Sequence, residues 1–490
     1  MAGIAAVVLL AMASFLPRVF IDGDTNWHVA AGRWILDHGQ VPKTDPFSYT
    51  FAGKPWLAHE WLSEVFMTLA WRAAGWSGVV LLIGAAAGLA YALIAAELRL
   101  WLGPLGQAIG LALSVTLLEP FLFARPHVMA LPMLVIWTRG LLAARRRDRA
   151  PHWRLLPLMV LWANLHASFI FGVGLIGPFA LEALAQSQNK PRALVGWGLF
   201  GVVALLLALA TPHGVQGLIF PFQVLGMKTL PDILEWRSAN FQQVGELETV
   251  LLITLFLGLW RGVRVPLFRL LLLIALVHMV LQHIRQQSVL AVLAPLLLAE
   301  PFGRAVSPAR KGTREPGRAD RRLAAATAAV AAVVFLGVAG YRLLLPVVRQ
   351  DNENVPVTAL AHVPADIRAQ PVFNEYAFGG YLIFSGVRPY VDGRADMYGD
   401  DFVKRYLEIL SADQPQVNQA ITRWGIRWTI LSPRGRLVAM LDRSPGWRRL
   451  YADRWAVVHV ADDRAAKPAN PYVRATAAVR PRHPGRSPRT

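Results

Sequence analysis

The amino-acid sequence predicts an all-α polytopic membrane domain followed by a small α/β domain. Three observations predict it. Apolar runs with few charges recur from the start of the chain to about Pro346. The basic residues gather in alternate connections between those runs. Residues 347–465 then alternate strand-like and helix-like patterns. The chain has 490 residues, 55% of them hydrophobic, with mean hydropathy +0.40. Soluble domains are roughly 45–50% apolar, so the excess is modest overall and concentrated in the runs. About 18–20 apolar residues suffice to cross the hydrocarbon layer.

The expected spans, about 11, fall near residues 2–20, 78–98, 105–123, 127–144, 154–166, 168–186, 193–210, 247–260, 266–283, 286–300 and 323–346. Several are short, which implies tilted or broken helices. The stretch from Met1 to Phe20 has neither a basic leader nor a small-residue cleavage site before Asp22, so it reads as a retained span. Segment 60–75 carries Glu60, Glu64 and Arg72 and reads as a helix lying at the interface.

A net charge of +19 would suggest nucleic acid in a soluble protein. Here the charge lies in short connections, which is the positive-inside pattern, and no nucleic-acid partner is expected. The basic connections are Arg145, Arg146, Arg147, Arg149 and Arg154; Lys190 and Arg192; Arg261, Arg264 and Arg269; and Arg304 through Arg310, Lys311, Arg314, Arg318, Arg321 and Arg322. With the spans above, all four fall on one side, the cytoplasm. Loop 21–59, loop 211–246 and the C-terminal domain then lie outside the cell (inner) membrane. The absence of cysteine excludes disulfides, thiol nucleophiles and thiolate metal sites. No Walker loop or dinucleotide fingerprint is present, which argues against ATP-driven transport.

In the first outer loop Trp27, Ala30, Ala31, Trp34 and Ile35 follow helical spacing, an amphipathic helix along the membrane surface. Asp24 and His28 are four apart and share another side of it. His38-Gly39 ends it, and a second helix is expected from about Trp56, carrying His59, Glu60 and Glu64. Asp24 can cap the helix or act as a catalytic base, and the two are compatible. His59 and Glu60 read as a polar helix edge at the interface or as part of a site.

Asp22-Gly23-Asp24, His28, Gly32, Ile35-Leu36, Gly39, Pro42 and Asp45-Pro46 resemble the first outer loop of the GT-C glycosyltransferase superfamily. Its members take sugars from polyprenyl-phosphate carriers. They include protein O-mannosyltransferases, lipid A aminoarabinose transferases and oligosaccharyltransferase catalytic subunits. The resemblance implies that Asp22 and Asp24 are catalytic or metal-binding. Mannosyltransferases usually have adjacent Asp-Glu where this chain has Asp-Gly-Asp, which leaves the sugar and any divalent metal open.

Four further polar clusters sit at the outer ends of spans: Arg125-Pro126-His127, Asn164-Leu165-His166, Thr211-Pro212-His213-Gly214, and His278, Gln282, His283, Arg285, Gln286, Gln287. Ionisable residues at membrane depth usually face a cavity or bind something charged. The clusters are therefore expected to line one outward cavity, although single members can simply cap broken helices. A guanidinium pairs two phosphate oxygens at once, so Arg125 and Arg285 are candidates for the donor phosphate. His127, His166, His213 and His283 can add hydrogen bonds to substrate or bind a metal, and His28, His59 and Glu60 are further candidates for binding substrate.

In the C-terminal domain PVFNEY, RPYVDGR, RWTILS and WAVVHV read as strands, and DDFVKRYLEIL and PQVNQAITRWG as helices. The stretch NEYAFGGYLIFSGVRPYVDGRADMYG holds Gly379-Gly380, Asn374, Glu375, Asp392, Arg394 and Asp396. It reads either as turn chemistry and packing or as a lid above the cavity. Residues 466–490 read as a disordered tail. Three parts are thus expected: a membrane domain, 1–346; an extracytoplasmic domain, 347–465; and the tail. The resemblance implies a polyprenyl-phosphate sugar donor, a lipid-linked or envelope glycan or protein acceptor, and surrounding membrane lipids. A non-catalytic lipid-linked glycan transporter or envelope assembly scaffold is the alternative.

Overall fold

The structure, a computed structural model, describes residues 1–232, 234–306 and 318–462. The expected tail and most of the last basic connection lie outside the described residues. Every expected span falls on a helix. Seven are long and apolar enough to cross a membrane: Trp61–Trp101, Pro104–Phe121, Pro126–Arg146, Phe169–Gln186, Lys190–Ala208, Ile284–Val306 and Ala325–Leu344. The others, Ala2–Phe15, Leu156–Leu165, Glu246–Trp260 and Leu267–Gln282, are shorter helices of 10–16 residues. One buried apolar core runs through the bundle. The chain is a membrane protein.

The expected interfacial segment and the second span are one 41-residue helix, Trp61–Trp101, broken at Ala74-Gly75. Gly75 has φ +57°, which a residue with a Cβ adopts only under strain, so the break falls on a glycine. The helix starts at Trp61 rather than near Trp56, and His59 and Glu60 therefore stand on the irregular chain before it. The loop helix forms as expected, Asp24–His38, closed by left-handed Gly39. It does not lie open on a membrane surface. It is wedged between helix 61–101 and the C-terminal domain, and even its polar side, Thr25, Asn26 and His28, is buried.

Successive helices run back and forth, so alternate connections meet at one end. At the end with the basic connections, Arg145, Arg146 and Arg269 point inward and are paired. Arg146 meets Glu97 at 2.5 Å, and Arg269 meets Glu182 at 2.9 Å and Glu300 at 3.0 Å. Arg145 lies 3.6 Å from Glu182 and donates to Gln186 at 3.0 Å. These residues are interhelical ties as well as topology signals.

The C-terminal part holds a four-stranded sheet in the order β1-β2-β4-β3: β1 Val372–Asn374, β2 Trp428–Leu431, β3 Trp447–Ala452 and β4 Val457–Ala461. β1 is parallel to β2 and the other pairings are antiparallel. Helices Ala395–Leu410 and Gln414–Trp424 match the two expected ones. RPYVDGR is not a strand. Asn374 claims its backbone, accepting from Tyr390 N–H and donating to Val391 O, both at 2.8 Å, in place of a ladder. β3 was not expected.

Candidate active site

The first outer loop and the C-terminal domain interlock through glycines. A Cβ on Gly23 would overlap the carbonyl oxygen of Ala377, and one on Gly380 would overlap that of Gly23. Trp27, Ala31, Trp56 and Ile383 close an apolar cluster over the joint. Gly379-Gly380 thus permits close backbone approach on two sides: Gly380 meets the Asp22-Gly23-Asp24 turn, and Gly379 meets Val391 and Asp392.

Asp22 and Asp24 divide their work in a way the sequence did not separate. Asp22 Oδ1 accepts the backbone N–H of Asp24 at 3.2 Å, so Asp22 supplies the helix-start hydrogen bond that was expected of Asp24. The Asp24 carboxylate turns toward Arg125, Nη2 to Oδ2 2.7 Å. Its other oxygen, Oδ1, fills the space that a Cβ on residue 393 would need. Burial pushes the Asp24 carboxyl up to about 6; Arg125 opposes this, and the charges of Asp22 and Glu235 add to it.

Arg125 is enclosed by acids. Its Nε and Nη2 hold Asp22, Nη2 at 2.6 Å, and Nη1 donates to both oxygens of Glu235 at 2.8 and 3.1 Å. With Asp24 Oδ2 beside Nη2, every nitrogen of the guanidinium faces a carboxylate. Arg125 is therefore engaged by carboxylates of the chain itself rather than left open for a phosphate, contrary to the expectation from sequence. Arg285 differs. It donates to Glu235 through Nη1 at 3.2 Å, lies over the Trp236 ring at 4.3 Å, and is 27% exposed. Glu235 was missed. Burial disfavours its charge, but Arg125 and Arg285 overcome that and hold it down at about 2.

A second cluster adjoins the first along helix 24–38. Glu60 is its hub, with His166 at 3.1 Å, His59 at 3.6 Å and His28 at 3.8 Å. His28 also faces Glu64 at 3.4 Å. His166 Nδ1 accepts from Ser168 N–H at 3.0 Å, so the proton sits on Nε2, toward Glu60. Burial disfavours charge on His59, yet Glu60 beside it raises its pKa to about 9. A raised histidine contributes stability in full below its ordinary value of 6.5, and the contribution is lost as pH rises toward 9. The purified protein should therefore lose melting temperature across that window, and His59→Gln should flatten the loss.

Three expected site histidines serve backbone instead. His127 Nε2 lies 2.9 Å from Phe121 O, His213 Nε2 3.1 Å from Ala58 O, and His283 Nδ1 2.8 Å from Trp236 O. They fold the connections around the site, because an irregular chain beside a buried site must satisfy its carbonyls locally. Asn164 ties the same region, accepting from Trp61 Nε1 at 2.9 Å and donating to Ala210 O at 2.9 Å.

Residues from the first outer loop, the 125, 166 and 235 connections, the 285 turn and the 374–396 stretch thus gather at one end of the bundle. That layout has relatives among solved structures. The *Archaeoglobus fulgidus* oligosaccharyltransferase in its apo form superposes with TM-score 0.50 at 11% identity, over 88% of this chain and 69% of that one. ArnT from *Cupriavidus metallidurans* bound to undecaprenyl phosphate superposes with TM-score 0.50 at 14% identity, over 93% and 97%. The chain has a GT-C-like fold. No protein-family description and no curated protein matches it by sequence.

Paired acids such as Asp22 and Asp24 invite a divalent metal, but these residues do not suit one. Asp22, Asp24 and Glu235 already surround a guanidinium. Among the described residues, no three His, Asp or Glu side chains are arranged to hold a metal ion.

The Gly393 contact gives a direct test of the joint. Ala at 393 must displace the Asp24 carboxylate, which is held on its other side by Arg125. Gly393→Ala should reduce catalysis by roughly tenfold or more, since misplacing a reacting group by about 1 Å can cost 100-fold. Comparing turnover with melting temperature checks this: the first should fall much further than the second.

Proposed function

We propose that this chain is a membrane glycosyltransferase. It moves a sugar from a polyprenyl-phosphate carrier to an acceptor hydroxyl at the outer face of the cytoplasmic membrane. The observation that carries the reading is the pairing of a carboxylate raised to about 6, Asp24, with a partly exposed guanidinium, Arg285, across Glu235. The first suits a general base near neutral pH, and the second suits a phosphate. The fold relatives support the class: ArnT was captured with undecaprenyl phosphate. The sidedness follows from charge. The site end lies opposite the basic connections, which the positive-inside rule assigns to the cytoplasm. Residues 347–465 are then an extracytoplasmic cover over the membrane domain, 1–346.

The step is a single displacement. The acceptor oxygen forms a bond to the anomeric carbon as the bond from that carbon to the phosphate oxygen breaks. The acceptor proton passes to Asp24, and the polyprenyl phosphate leaves with the bonding pair. Arg285 stabilises the charge gathering on the leaving phosphate. Arg125 and Asp22 hold Asp24 in place, and inversion at the sugar carbon follows. The Glu60 histidine cluster forms the adjoining wall, where His28, one turn from Asp24, braces Glu60 and Glu64.

Membranes containing the full chain, given a panel of radiolabelled polyprenyl-phosphate hexoses and pentoses, should move label from lipid to a water-soluble or glycan acceptor. Label that stays on the lipid but changes side of the membrane would identify a transporter and end this reading.

A further inference from the structure

We infer that Arg125 takes the place of a divalent cation, so that the acidic site of this chain is assembled around an internal guanidinium and binds no metal. Three carboxylates from two distant parts of the chain converge: Asp22 and Asp24 from the first outer loop and Glu235 from the 211–246 connection. Acids gathered this closely repel one another and need a positive charge between them. A metal ion is one answer. Here the charge is covalently attached.

Geometry favours the guanidinium. Its planar fork offers N–H donors in fixed directions: Nε and Nη2 donate to Asp22, Nη1 donates to Glu235, and Asp24 lies against Nη2. Arg125 is anchored as the residue before Pro126, in extended backbone at φ −127° and ψ 158°, at the start of helix 126–146. A residue before proline is held to that extended region, so the side chain is aimed by its own sequence context. A divalent ion bound among the same oxygens would lie against a fixed positive charge and would compete for ligands already paired.

Two consequences follow. Arg285 is left as the guanidinium that meets the donor phosphate. The base, Asp24, has one oxygen fixed by Arg125 and the other turned to the 393 turn. Both consequences rest on the glycosyl-transfer reading, whereas exclusion of metal does not.

The test reads metal directly, on the full chain purified in detergent, with Mn²⁺ as the probe. Free Mn²⁺ is followed by its paramagnetic resonance signal. Wild type should bind no Mn²⁺ at this trio, so Asp22→Asn and Glu235→Gln should leave the titration unchanged. Arg125→Ala frees three carboxylates, and Mn²⁺ should bind it saturably, one ion per chain, where wild type shows no such site. Glu235→Gln added to Arg125→Ala should remove that gain. Saturable Mn²⁺ binding by wild type that Asp22→Asn abolishes would overturn the inference. So would a monodisperse Arg125→Ala protein with no gained binding. Should Arg125→Ala fail to fold, Arg125→Gln, a shorter neutral side chain that keeps one amide NH2 group, serves in its place. None of these readings depends on transfer, so a failed donor assay and a failed metal prediction are separate results.

Discussion

Asp24→Asn should lower sugar transfer by about 10²–10⁴-fold while leaving expression and melting temperature near wild type. Asn keeps the size of the side chain and can still accept from Arg125, but it cannot take the proton of the acceptor hydroxyl. The pH profile gives a second, independent reading. Asp24 acts only when deprotonated, so the wild-type rate should rise with pH through about 6 and level off above it. Glu235 contributes to the raised value, so Glu235→Gln should move that limb to lower pH. Asp22→Asn should be milder than Asp24→Asn, because Asp22 orients the turn and Arg125 rather than facing the reacting atoms. A wild-type rate for Asp24→Asn, measured in membranes from the same lipid-linked donor, would remove Asp24 from the chemistry.

Much of this arrangement was legible before the fold was known, for physical reasons. The periodicity of Trp27, Ala30, Ala31 and Ile35 located the loop helix, and Gly39 ended it, because burial and backbone freedom are local properties. Counting spans placed Asp22, Arg125, His166, His213 and Arg285 together, because back-and-forth crossing brings alternate connections to one end. What failed were readings that depend on a partner distant in sequence. Glu235 is an ordinary acid in a polar connection, and nothing nearby shows that two arginines await it. Arg125 suited a phosphate as a residue type, but only the structure reveals its three carboxylates. RPYVDGR has the composition of a strand, and the Asn374 side chain that takes its backbone lies outside the stretch. β3, Trp447–Ala452, carries Arg448 and Arg449 in its middle and shows no simple alternation of burial, so only its pairing with β4 makes it a strand.

The largest stability effect should come from Arg394. Asp45, from the loop that carries the family-like Asp45-Pro46, accepts from Arg394 Nη1 at 2.8 Å. Asp392 takes Nε and Nη2 at 2.7 Å each, and Tyr398 O–H donates to Asp392 at 2.7 Å. The guanidinium lies over the rings of Trp56 and Phe47 at 4.7 and 5.2 Å, and it is 1% exposed. Removing it would strand two carboxylates in a site closed to water. Breaking one such buried pair costs about 3–5 kcal/mol, so Arg394→Met should sharply lower the detergent melting temperature. If charge is the cause, the triple variant Arg394→Met, Asp45→Asn, Asp392→Asn should recover much of the loss, since buried ionic clusters can often be replaced by neutral groups of similar shape. The clamp also fixes the turn at Gly393, against which Asp24 rests. Transfer by Arg394→Met should therefore fall even where the protein remains folded, and the triple variant should restore stability more fully than rate. Equal recovery of both would mean that the clamp serves folding alone; an Arg394→Met protein as stable as wild type would mean that the first outer loop and the C-terminal domain are held together by their apolar joint and glycine contacts without it.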